Sequence, residues 1–221
     1  MTAEASWHVL VMAKSPEPGR VKTRLCPPLS PAEAAGVAEA ALADTLEAVA
    51  ACGADRKLLA LEGEPGQWLP PGFEVIPQRG DGLAARLAAA WIDAGGPGLQ
   101  IGMDTPQVTG DLLDSCLALT AEPSVTATLG AANDGGWWAL GLSHSWEVDV
   151  FAGVPMSTAD TGAWQLKSLH AHGHRVGYLP ELVDVDTVDD ARQVAELAPS
   201  SRFALTLDRL TLDELDSGVE R

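Results

Sequence analysis

The sequence predicts an α/β protein, a three-layer α/β/α arrangement around a mostly parallel central sheet. Two observations predict it. Short apolar runs rich in β-branched residues alternate with longer amphipathic stretches, and the residues with chemical character cluster just after the apolar runs, where such sheets bind ligands.

The elements follow in order. WHVLVMA (7–13) is a short apolar run, and the loop after it holds Pro16, Pro18 and Gly19, so it reads as a buried first strand. Ser30, Pro31 and Glu33 form a capping-box start for an alanine-rich helix reaching about Cys52. KLLALEG (57–63) and FEVIP (73–77) are strands, GLAARLAAAWIDA (82–94) a helix, LQIGM (99–103) a strand, and DLLDSCLALT (111–120) a helix behind Thr109. After SVTATLG (124–130), GGWWALGL (135–142) reads as an added strand, antiparallel to the rest. A helix is expected from Ser157 to about His172, then a late strand HRVGYLP (174–180) and a helix over 188–197 capped by Thr187. Residues 7–205 are expected to make one domain, with 206–221 a helical tail.

Composition narrows the function. A chain of 221 residues that is 46% apolar can bury one substantial core. The formal charge of -17 repels polyanions, which excludes nucleic acid and anionic membrane as partners. No apolar run is long enough to span a bilayer, and Met1 to Ser6 lacks the basic start of a secretory signal, so a cytoplasmic location is expected. Cys26, Cys52 and Cys116 are widely spaced and read as reduced thiols.

Against that acidic background, Lys14, Arg20, Lys22 and Arg24 crowd into the segment directly after the first strand, KSPEPGRVKTRL (14–25). Such cations can neutralise phosphoryl oxygens, and Gly19 lets the backbone approach a phosphate chain. The P-loop spacing is absent. IGMDTP (101–106) delivers one carboxylate, Asp104, at a strand end, suited to Mg²⁺, which takes one or two carboxylates and fills its shell with water and substrate phosphate. In LVDVDT (182–187), Asp184 and Asp186 alternate, and either completes the metal site; Asp186, next to the helix cap, is preferred. In NDGGWW (133–138) the paired Gly135 and Gly136 permit a tight path, Asp134 can orient an acceptor, and Trp137 and Trp138 face opposite ways, one to ligand and one to core. His170, His172 and His174 sit where a helix ends and read as surface residues. QRGDGLAAR (78–86) is a loop and helix start whose backbone could read a base.

Together KSPEPGRVKTRL, IGMDTP, DGGWW and DVDT resemble the bacterial GT-A-superfamily proteins labelled glycosyltransferase-like. More distantly, KTRL resembles the phosphate-binding signature of the molybdenum-cofactor nucleotidyltransferases and of phospholactate guanylyltransferase. The resemblance implies a GT-A fold and a Mg²⁺ (or Mn²⁺) site at Asp104 and Asp186. It implies triphosphate contacts from Lys14, Gly19, Arg20, Lys22 and Arg24, with Gly82 and Leu83 near the base. Acceptor contacts would come from Asp134, Gly135, Gly136 and Trp137. The implied activity is nucleotidyl transfer from a nucleoside triphosphate to a small acceptor, or glycosyl transfer from a nucleotide-diphosphate sugar. Pro16, Glu17 and Pro18 replace the usual glycine-rich loop of the nucleotidyltransferases, and Gly102 replaces the first carboxylate of the glycosyltransferase Asp-x-Asp motif.

Overall fold

In a computed structural model, which describes residues 6–144 and 148–217, seven strands form one sheet. They are β1 (His8–Lys14), β2 (Arg56–Glu62), β3 (Glu74–Pro77), β4 (Gly98–Gly102), β5 (Ala127–Ala132), β6 (Trp137–Leu142) and β7 (Val176–Leu182). Their order is β3-β2-β1-β4-β6-β5-β7. All neighbours run parallel except β6, which is antiparallel to both β4 and β5 and therefore reverses the sheet beside β4. The mostly parallel α/β architecture expected from the sequence is present, as is the antiparallel strand at GGWWALGL.

Among the described residues there are six α-helices, α1 (Pro31–Ala51), α2 (Leu83–Ala94), α3 (Gly110–Thr120), α4 (Thr161–Ala171), α5 (Val188–Leu197) and α6 (Arg202–Ser217); the first four pack on the sheet, and α6 packs on α1 and α5. Strand β1 shows why both faces need cover. Val9, Val11 and Ala13 bury against Leu42, Leu46 and Val49 of α1, while Leu10 and Met12 turn to the other face, with Leu87 and Trp91 of α2. Fully burying one such leucine contributes roughly 1.5–3 kcal/mol relative to leaving it in water.

The caps written in the sequence form as expected. Ser30 accepts from the Glu33 N–H at 3.3 Å while Glu33 returns a bond to the Ser30 N–H at 2.7 Å, and Thr109 and Thr187 cap α3 and α5. Two expectations shift. The helix expected from Ser157 begins at Thr161, because Ser157 takes a positive φ of 59° that no helix admits. Helix α6 runs through position 205, since Phe203 and Leu207 bury together against α1 and α5. The last four residues of the expected tail, 218–221, and the start of the chain, 1–5, lie outside the described residues. Among the described residues, no helix is long and apolar enough to cross a membrane.

Candidate functional site

Parallel pairing aligns the carboxyl ends of β1, β2 and β4, and β6 returns from that same edge. A cleft of about 720 Å³ opens there. It is lined by Lys14, Arg20, Lys22 and Arg24 from the loop after β1, by Asp104 after β4, by Asp134, Gly136 and Trp137 around the start of β6, and by Asp184 and Asp186 after β7. Leu83, at the first turn of α2, lines it as well. Of the sequence candidates, Gly19, Gly82 and Gly135 are not in its wall. Gly19 and Gly82 supply positive-φ turns (77° and 83°) to the flanking loops. Gly135, φ 85°, lies in the turn before β6, packed closely on the Ala159 carbonyl.

At the centre is Lys22. Its backbone is left-handed (φ 47°), which turns the side chain inward from the loop; that side chain is only 8% exposed. The ammonium donates to Asp104 Oδ1 at 2.8 Å and to the Val185 carbonyl. Burial alone would lower the Lys22 pKa, yet Asp104, Asp184 and Asp186 outweigh it and hold the group above its ordinary value. The two acidic segments are also joined directly, by the Val185 N–H to the Asp104 carbonyl at 3.0 Å.

Asp184 is the carboxylate most affected by this crowding. Its burial, with Asp104, Asp134 and Asp186 facing it, pushes its pKa up to about 7 despite the opposing Lys22. Asp186 pairs instead with Arg24. β7 ends at Leu182, beyond the expected 174–180, and residues 183–186 follow it outside the strand, where Asp184 and Asp186 acquire different partners.

The remaining cations are held by a residue the sequence reading passed over. Glu62, the last residue of β2, lies 3.6 Å from Lys14 and 3.8 Å from Arg20 and bonds Arg86. Burial opposes its ionisation, but Arg86 and Lys14 hold its pKa below the usual range. Arg20 also binds Glu17 at 2.8 Å. The available signal was an acidic residue at a strand's carboxyl end; its place beside the cationic loop comes only from the pairing of β2 with β1.

At the turn before β6, Asp134 Oδ1 accepts from the Gly136 N–H at 2.7 Å, so one of its oxygens shapes the turn. The Gly162 N–H bonds the Gly135 carbonyl at 2.8 Å, pinning that turn against the loop at 157–161. Trp137 stacks on Phe151 (centroids 6.3 Å apart) on one face of the sheet. Trp138, on the other, donates from Nε1 to the Pro180 carbonyl at 2.8 Å. Both border the cleft, and the alternation expected of the pair is present. His170 and His172 are exposed at the end of α4, where His172 Nδ1 lies 2.8 Å from the Ser168 carbonyl, but His174, expected to be a surface residue as well, is half-buried beyond the helix, its Nδ1 3.2 Å from the Thr126 hydroxyl.

Among the described residues, no three His, Cys, Asp or Glu side chains are grouped to hold one metal ion. The donor set fits a hard divalent cation nonetheless. Four carboxylates line the cleft, one of them, Asp184, pushed towards protonation by burial first and by its acidic neighbours second, and a Mg²⁺ needs only one or two of them.

A seven-stranded sheet reversed at β6, with its cleft at the strand ends, places the molecule in the nucleotide-diphospho-sugar transferase-like (GT-A) class of α/β folds. Residues 35–158, more than half of the chain, match the family described as "Uncharacterized protein conserved in bacteria (DUF2064)", and the chain belongs to that family. No curated protein matches its sequence. Among solved structures, it is similar to a candidate nucleotide-diphospho-sugar transferase from Desulfovibrio desulfuricans G20, with TM-score 0.83, 26% identity, and 96% of each chain covered. Rv0371c from Mycobacterium tuberculosis H37Rv, solved with manganese, shares the fold at TM-score 0.51 and 20% identity, over 86% of this chain and 98% of that one. So does 2-C-methyl-D-erythritol 4-phosphate cytidylyltransferase from Thermus thermophilus, at TM-score 0.55 and 16% identity, over 87% and 98%.

Proposed function

We propose that the chain is a cytoplasmic, divalent-metal-dependent nucleotidyltransferase acting through one domain over about residues 7–205. The observation that carries this reading is the convergence of the loop cations and the carboxylates in one cleft, through the Lys22–Asp104 pair. Cations and acids so placed suit a polyphosphate and its metal together.

In this reading an acceptor oxygen attacks the α-phosphorus of a nucleoside triphosphate, the bond from that phosphorus to the β-bridging oxygen breaks, and pyrophosphate leaves. The enzyme contributes position and charge rather than a covalent intermediate. Arg20 and Lys14, held by Glu62, meet the outer phosphates. Lys22 and Arg24 stabilise charge that develops as the bond breaks. Asp134 and the Gly135–Gly136 turn, walled by Trp137, position the acceptor. Asp104, with Asp186 and its neighbour Asp184, would hold Mg²⁺ or Mn²⁺, which supplies Lewis-acid stabilisation of phosphoryl charge. The manganese found with Rv0371c supports this choice of ion.

A second reading, glycosyl transfer from a nucleotide-diphosphate sugar, is favoured by the likeness along 96% of both chains to the D. desulfuricans protein. The cation-rich first loop and the glycine at position 102 favour nucleotidyl transfer. Thermal-shift screening with nucleoside triphosphates and nucleotide-diphosphate sugars, each with and without Mg²⁺ or Mn²⁺, separates the two. Metal-dependent stabilisation by a triphosphate, followed by pyrophosphate release with an acceptor panel, is expected. Stabilisation by sugar nucleotides alone would replace the first reading with the second, and none by either class would overturn both.

A further inference from the structure

The Lys22 ammonium sits among the acids of the cleft, and the backbone that carries it is fixed. On one side Val21 is buried with Ala35 and Ala38 of α1, and on the other Leu25 is fully buried in the apolar cluster of α1, α5 and α6. The Lys22 carbonyl accepts from the Leu25 N–H at 2.9 Å, which closes the turn between them. Its partner is equally anchored, since Val185 is 1% exposed and its N–H is held by the Asp104 carbonyl. The ammonium can therefore leave Asp104 only by a swing of its own four-carbon stem.

The oxygens it holds are of a particular kind. An ammonium has three donors, and Lys22 places them on a carboxylate, Asp104 Oδ1, and a backbone carbonyl, Val185. These are the hard donors that Mg²⁺ and Mn²⁺ take. The other loop cation on this side, Arg24, is engaged with Asp186. A single and a double positive charge crowded on one carboxylate repel strongly where little water screens them. Entry of a divalent ion at Asp104 and retention of the ammonium there thus oppose each other. A freed ammonium stays in the cleft, whose wall Lys22 shares with Lys14, Arg20 and Arg24.

We propose that Lys22 is the internal counterion of this carboxylate cluster in the free protein, and that a divalent metal exchanges with it, the ammonium passing from Asp104 to a bound phosphate chain. The proposal rests on the reading that the cleft takes a metal together with a polyphosphate, and it holds for a triphosphate or a nucleotide sugar alike. It adds a coupling between the two ligands. Metal alone strips the ammonium of its partner, and polyphosphate alone draws it from Asp104 and leaves the acids uncompensated. Bound together, each supplies what the other removes, so each should tighten the other.

Two measurements on the whole chain test the exchange. The first is Mn²⁺ affinity without nucleotide, by electron-spin resonance, where Lys22→Met is expected to bind at least about fivefold tighter than the wild type, the lower end of ordinary coupling between sites. The second needs no variant: acylation of the Lys22 amine by a neutral N-hydroxysuccinimide ester at one pH, read by mass spectrometry against Lys167 on α4. Lys22 is expected to react slowly in the free protein, at least about fivefold faster with Mg²⁺, and slowly again when inorganic tripolyphosphate is added with Mg²⁺ kept in excess. Mn²⁺ binding to the wild type with Mg²⁺ leaving Lys22 as unreactive as before would overturn the exchange while leaving the transferase reading intact. That holds even if Lys22→Met binds Mn²⁺ more tightly, because lost repulsion alone would do so. Equal or weaker Mn²⁺ binding by the folded variant would overturn it as well. A rise in reactivity that tripolyphosphate does not reverse would overturn the passage to the phosphate chain. Failure of both proteins to bind Mn²⁺ would remove the metal reading and the exchange together.

Discussion

Lys22 donates to Asp104 across 2.8 Å and thereby ties the loop after β1 to the end of β4. The contact fills with an ammonium the space between two acidic segments, and it joins the cation-bearing side of the cleft to its carboxylate-bearing side. Truncating either partner leaves the other charge poorly compensated, so the pair should behave as a unit. Lys22→Met and Asp104→Asn are each expected to lower kcat by about 10²–10³-fold, and the double variant by far less than the product. Additive losses in a double-mutant cycle would show that the two act separately.

Metal affinity should follow the ionisation of Asp184. With its pKa pushed up to about 7, this carboxyl is mostly protonated at pH 6 and ionised at pH 8. Ligating carboxylates must be deprotonated, so Mn²⁺ is expected to bind more tightly as pH rises through about 7. In Asp184→Asn the rise should flatten, as read by titration of Mn²⁺ electron-spin resonance. A pH-independent affinity in the wild type would count against any part for Asp184.

Stability should carry two opposed pH dependences. His8, fully buried against the edge of Trp91 with ring centroids 5.0 Å apart, has its pKa lowered to about 4 by burial first and by Arg56 second. The unfolded chain binds a proton there at pH 6.5 and below, so the His8 contribution is complete above 6.5 and is lost as pH falls towards 4, by at most about 3 kcal/mol. Asp184 works the other way. Its folded pKa lies above its unfolded value, so its contribution is complete below about 3.8 and is lost as pH rises through about 7. Relative to the wild type, melts of His8→Phe between pH 4.5 and 7.5 should lose stability with rising pH, and those of Asp184→Asn should gain it. Parallel curves for all three would refute the assignment.

The turn before β6 should tolerate no side chain at Gly135. Its φ is 85°, and an added Cβ would fall 1.9 Å from the Ala159 carbonyl oxygen. Gly135→Ala is therefore expected to cost well over about 1 kcal/mol and to raise the KM for acceptor. Gly19→Ala is the control: φ is 77° but nothing lies within 4 Å, so only backbone strain of roughly 1–2 kcal/mol is expected. Equal melting temperatures for the two variants would refute the close approach.

Local features were legible in the sequence wherever neighbours along the chain decide them. Ser30 and Glu33 form their capping box, Thr109 and Thr187 cap their helices, and the apolar run after Trp7 is a strand buried on both faces. The cationic loop and its distance from Asp104 in the chain were equally visible. So was the opposition of Trp137 and Trp138, since alternation is a property of any strand.

What only the tertiary structure decided depends on groups far apart in the chain. Glu62 gathers Lys14, Arg20 and Arg86 because parallel pairing sets the end of β2 beside the end of β1. Gln100 reads in the sequence as one polar residue in an apolar strand, and only the fold brings the Leu87 carbonyl to its amide nitrogen. Asp184 and Asp186, equivalent in an alternating pattern, part company once Arg24 reaches one and burial encloses the other. Spacing along a chain specifies local geometry, whereas charge, burial and hydrogen-bond satisfaction are set by which segments the fold brings into contact.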